Sequence, residues 1–129
     1  MRRERYLKKI EKFEKEKEYI QQHKIEDDTT ERAILYSLQV CVEITTDIIA
    51  MKVKDVGLIV EDDYSNIETL VEEGIINEED ADLLKRFNGI RNAVVHKYDK
   101  LDIDMVKKAL DNIEDLSEIV YQIAEQRDE

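Results

Sequence analysis

The side chains best suited to chemistry lie in one short stretch, RNAVVHKY, from Arg91 to Tyr98. Arg91, Asn92 and His96 are types that together can cleave RNA without a metal. A histidine with a pKa near about 6.5 can take the proton of a 2′-hydroxyl or give one to a leaving 5′-oxygen. The planar fork of Arg91 suits phosphate oxygens and would stabilise the charge that develops on them. Asn92 can hold the imidazole tautomer or donate to phosphate, and Lys97 and Lys100 add positive charge that would help bind RNA.

The spacing constrains how these groups meet. At about 100° per residue, Asn92 and His96 lie about 40° apart on a helix, whereas Arg91 and His96 are about 140° apart. One helix cannot easily aim both at one atom. If the two-fold axis of a homodimer passes beside this helix, Arg91 of one copy can serve His96 of the other, and the site becomes composite. Spacing alone favours a plainer alternative, an Arg–Asn pair with a histidine capping the last carbonyls of a helix.

The elements that must position these residues read as helices. With 129 residues the chain has the size of one domain, residues 1–129. It has no proline and three glycines, too little punctuation for many strands. The expectation is an all-α, up-and-down antiparallel bundle of four or five helices. The first, from about Arg3 to Gln22, spaces Tyr6, Ile10, Phe13 and Ile20 along one face. The second, from Glu31 to about Lys52, is capped by Asp28, Thr29 or Thr30 and carries so broad an apolar face that a dimer seam could cover part of it. Ser65 with Glu68 forms the capping-box pattern of a short third helix that Gly74 ends. Asn77 precedes the fourth, which holds RNAVVHKY and contains Gly89; a mid-helix glycine suggests close approach of another backbone. The last runs from Asp102 to Gln126.

Composition excludes several classes. The apolar share is 42%, the charged share 40% and the mean hydropathy -0.57. The longest uncharged apolar-rich run, Ala33 to Val42, falls short of the roughly 18 residues of a membrane span. The MRRERYLKK start lacks the apolar stretch of a secretory signal, so a cytoplasmic protein is expected. The single Cys41 forms no intrachain disulfide, and with His23 and His96 it offers no zinc spacing, so no metal or cofactor is expected. Cys41 reads as a small hydrophobe and His23 as solvated. The net charge of -12 argues against nucleic acid on average, yet residues 1–24 and residues 85–108 each carry +4. These basic islands could hold a polyanion locally or assist assembly with a partner.

RNAVVHKY resembles the Arg-x4-6-His signature of HEPN domains, in the RNxxxHxY form of the HepT-like toxins of HEPN/MNT type VII toxin–antitoxin systems. ERAILYSLQVCVEITTDIIA is similar to their second helix, and DDYSNIETLVEEGIINEEDADLLKRFNGIRNAVVHKYDKLD to the stretch from loop through site, so nearly all of residues 1–125 can be matched. The resemblance implies a homodimeric bundle acting as a metal-independent endoribonuclease, with Arg91 and His96 catalytic in a shared cleft. It implies a nucleotidyltransferase antitoxin that transfers AMP from ATP to the motif tyrosine, which Tyr98 matches. Glu31 and Arg32 open the helix expected to face the cleft and could orient the Arg91–His96 pair. A HEPN module that binds nucleotide or protein without catalysis is the alternative.

Overall fold

The computed structural model describes residues 2–96 and 98–125, and of Arg2 and Tyr98 only the backbone. These residues form α1 (Arg2–Gln22), α2 (Asp28–Asp55), α3 (Asp63–Glu72), α4 (Glu78–His96), a 3-10 turn (Tyr98–Lys100), α5 (Ile103–Asp111) and α6 (Ile113–Glu125). No strand occurs among the described residues, in line with the all-α reading, but the helices number six.

The bundle is organised around α2, which packs against α1, α3, α4 and α6, while α1 also meets α6. Its wide apolar face is therefore covered by helices of the same chain, so α2 needs no dimer seam to hide it. Leu38, Cys41 and Ile48 of α2 are fully buried with Phe13 of α1, Leu70 of α3 and Leu116 of α6. The apolar character of α2 also runs past Glu43 and Asp47, further than the run Ala33 to Val42 suggests. An 18-residue window reaches a mean hydropathy of 1.5, enough by length and composition to cross a membrane, and 61% of it is buried in the bundle. That burial accounts for the apolar composition.

Local chemistry sets the helix starts, and it moves two of them. Asp27, not Asp28, Thr29 or Thr30, caps α2: its carboxylate accepts from Thr30 N at 2.9 Å, and the Thr30 hydroxyl accepts from Asp27 N at 3.0 Å. Asp62 caps α3 by accepting from Ser65 N at 2.8 Å, so Ser65 is the third helical residue rather than the cap. Those backbone donors hold both carboxyls below the usual carboxylate range. Asn77 precedes α4 as expected, accepting from Asp80 N at 2.7 Å. Gly74 ends α3 with φ +73, the left-handed conformation glycine adopts without strain.

Two expectations fail for physical reasons. The last helix breaks at Asn112, where φ -99 and ψ 12 leave the helical region and the side-chain amide bonds back to Lys108 O at 3.1 Å. Asparagine competes for backbone partners in this way, and the break turns Ile113 into the core. Gly89 shows no close approach: a Cβ built there would meet nothing within 4 Å. It lies in the wall of an apolar groove of about 520 Å³ between α4 and α5, with Phe87, Ile90 and Met105.

A polar clasp ties α1 to α6. The Lys17 ammonium, largely buried, lies 3.1 Å from both Glu14 and Glu114 and donates to Ser117 Oγ at 3.3 Å. Burial alone would lower its pKa, but the hydrogen bonds and charges of Glu114 and Glu14 outweigh it and leave it raised.

Candidate functional site

α4 carries the motif residues, and its packing on α2 turns Arg91 inward. The guanidinium donates from Nη2 to Glu43 Oε2 at 2.9 Å and from Nη1 to Asn92 Oδ1 at 3.0 Å. The side chains of Arg91 and Glu43 remain 28% and 40% exposed, so the pair lies at an edge that solvent or a ligand can reach. Arg91 Nε, by contrast, is enclosed and has no partner. Among the described residues the buried side-chain atoms left this way are Arg91 Nε and Asn88 Oδ1, three residues apart on α4. An enclosed polar atom without a partner costs about 1–3 kcal/mol. Incomplete satisfaction is thus concentrated beside the motif.

His96 is the last residue of α4 and is exposed. Five residues of helix separate it from Arg91, about 140° around the axis, which leaves the imidazole outside while the guanidinium faces α2. The structure therefore brings Arg91 to Asn92, and within one chain it does not turn Arg91 and His96 to a common side. Tyr98 opens the 3-10 turn directly after α4. Lys97 lies outside the described residues. Lys100 is exposed and lines the apolar groove of Gly89.

Glu31 and Arg32 sit in the first turn of α2. Glu43 is twelve residues further along, about 18 Å up the axis, so within one protomer the pair at the start of α2 cannot orient Arg91. That position belongs to Glu43, which lies outside the RNAVVHKY motif. The available signal was a carboxylate interrupting the apolar run of α2, a costly residue to place there without a partner. Cys41 is fully buried, and burial pushes its thiol up to about 12, with the charges of Glu16 and Glu14 adding to the effect; it is no nucleophile at neutral pH.

Comparison with known proteins places this site in context. The family model described as "Ribonuclease HepT-like" matches residues 3–123. A protein of Archaeoglobus fulgidus provisionally named an RNase is 45% identical over 128 residues, covering 99% of this chain and 97% of that protein. One of Methanocaldococcus jannaschii, also provisionally named an RNase, is 56% identical over 72 residues, 56% of this chain and 83% of its own length. Among solved structures, a tri-AMPylated HEPN toxin of Shewanella oneidensis in complex with an MNT antitoxin superposes with a TM-score of 0.83 at 24% identity, covering 94% of this chain and 97% of that one. A toxin–antitoxin structure with AMP-PNP gives a TM-score of 0.81 at 23% identity, covering 92% of this chain and 96% of its own. At these identities the structural likeness speaks to the fold.

Proposed function

Because the chain belongs to the HepT-like ribonuclease family, we propose that it is a toxin that cleaves RNA without metal at a site built by two copies of the chain. The observation that carries this reading is the Arg91 guanidinium, held at the edge of α2 by Glu43 with Nε unsatisfied, while His96 stands exposed about 140° away on the same helix. A second copy supplies the imidazole that the first cannot aim. In that arrangement the His96 of one copy takes the proton of the 2′-hydroxyl, the freed oxygen attacks phosphorus, and the same imidazolium gives the proton to the departing 5′-oxygen, leaving a 2′,3′-cyclic phosphate. Arg91 stabilises the charge on the non-bridging oxygens, and Asn92 holds the guanidinium in plane. Lys97 and Lys100 contribute positive charge along the bound strand.

The likeness to a tri-AMPylated toxin bound to an MNT antitoxin supports a matching partner here, a nucleotidyltransferase that adds AMP to Tyr98. Tyr98 lies two residues beyond His96. A phosphodiester-linked nucleotide there brings negative charge and bulk to a phosphate-binding site, which excludes RNA. A cytoplasmic location follows from such a substrate and partner.

The test is RNA cleavage by purified protein in excess chelator. Cleavage leaving cyclic phosphate ends is expected, with a loss of about 10²–10⁴-fold in His96→Ala. Activity that survives the substitution overturns the assignment to His96, and tight nucleotide binding with no turnover replaces this reading with a non-catalytic module.

A further inference from the structure

A groove of about 450 Å³ runs between α1 and α2, and its α1 wall consists of Arg5, Lys8, Lys9 and Lys12. Its α2 wall includes Tyr36 and Glu43, the same Glu43 that receives the Arg91 guanidinium. Groove and motif thus share a wall. The antiparallel register brings them level: Lys9 meets Asp47 at 2.8 Å and Cys41 Sγ reaches Phe13 O at 3.9 Å, so Lys12 falls between them, opposite Glu43.

Two of the four cations are already matched, Lys9 by Asp47 and Arg5 by Asp55 at 3.6 Å. Lys8 and Lys12 enter no ion pair among the described residues. The lining sets four cations against the carboxylates of Glu43 and Asp47, and on a chain of net charge -12 that surplus is a local reversal of charge. Tyr36 is 61% exposed although it is large and aromatic. It precedes Glu43 by two turns, about 10 Å along α2 and within about 20° of the same face. An exposed ring beside a basic groove is the arrangement that holds single-stranded nucleic acid, whose bases stack while its phosphates find the cations.

We propose that the α1–α2 groove is the track for the RNA strand, with Lys8 and Lys12 on its phosphates and Tyr36 stacking a base, and that it delivers the strand past Glu43 to Arg91. The proposal rests on the ribonuclease reading for its ligand and extends that site onto α1, which carries no motif residue.

The experiment titrates a fluorescent single-stranded RNA oligonucleotide with the full chain in the non-cleaving His96→Ala background. Adding Lys8→Ala and Lys12→Ala is expected to weaken binding about tenfold or more at low salt. It should also lower the slope of log K against log salt by about 1.4, the value for two lost single-strand phosphate contacts. Tyr36→Ala is expected to weaken binding about fivefold or more with the salt slope unchanged, and Tyr36→Phe to restore it. Unchanged affinity and slope overturn the track. So does a loss that tracks with conversion of dimer to monomer, or one confined to binding of a nucleotidyltransferase partner, since either makes the groove a protein interface. Cleavage by the otherwise unaltered chain is measured alongside. If it cuts RNA and Lys8→Ala/Lys12→Ala leaves KM unchanged, the track fails and the ribonuclease stands; binding through Lys8, Lys12 and Tyr36 without cutting has the reverse meaning.

Discussion

Arg91 and Glu43, on different helices, are joined by a hydrogen bond of 2.9 Å that fixes which way the only motif guanidinium points. Removing the carboxylate frees a long side chain to sample other rotamers. Glu43→Ala is therefore expected to lower kcat for RNA cleavage about tenfold or more with a smaller change in KM, as for loss of orientation at a charge-stabilising group. Glu43→Gln keeps an acceptor and should recover most of the rate. Equal loss in both variants, or a loss that follows melting temperature, would show that Glu43 acts only through stability.

A composite site makes a complementation test possible. Arg91→Ala and His96→Ala homodimers should each be inactive. After the two are mixed and exchanged, half the dimers are mixed, and in each of those one site pairs an intact Arg91 with an intact His96. About a quarter of the unmutated activity should return. No recovery after verified subunit exchange would mean that each site draws both residues from one chain.

Gly89 gives a prediction with a definite sign. It sits inside α4, and a methyl group there meets nothing within 4 Å. Gly89→Ala should stabilise the fold by about 0.5–1 kcal/mol, the helix-propensity difference, measured by denaturant unfolding with m unchanged. Destabilisation would reveal a second chain closely packed on the α4–α5 groove.

The two aspartate caps give the pH dependence. The Asp27 and Asp62 carboxyls are held below their ordinary values by backbone donors of Thr30 and Ser65. A depressed folded pKa means that the stabilisation is fully present above the unfolded value of about 3.9 and is lost as pH falls through the folded one. Asp27→Ala should thus melt earlier than the unmutated protein at pH 7, and the difference should shrink below about pH 4. A gap that persists at pH 2 would assign the effect to something other than the charged cap.

What the sequence reveals depends on how local the cause is. Periodicity at Tyr6, Ile10 and Phe13, or at Leu38, Cys41 and Ile48, follows from one helix facing one core, and each of these residues is buried. The break at Asn112 is harder to read, because Val106, Ile113, Leu116 and Val120 keep an apolar rhythm across it, while the backbone turn at Asn112 and its side-chain bond back to Lys108 divide the segment into two helices. At the site, RNAVVHKY announces itself by residue type, but the Arg91–Glu43 contact spans 48 residues and depends on how α2 and α4 dock. Glu31 and Arg32 open the same helix as Glu43, but the rise of about 1.5 Å per residue puts them out of reach of Arg91 within one protomer.

The clasp at Lys17 bears on how the bundle assembles. Its bond to Ser117 joins positions 100 residues apart, whereas α1 with α2 and α3 with α4 are neighbouring hairpins. Closing so long a loop gives its reward only after the ordering entropy has been met, which makes such contacts late on a folding route. The α2–α4 framework that carries Arg91 and Glu43 can therefore form while α6 is still seeking its berth on α1 and α2.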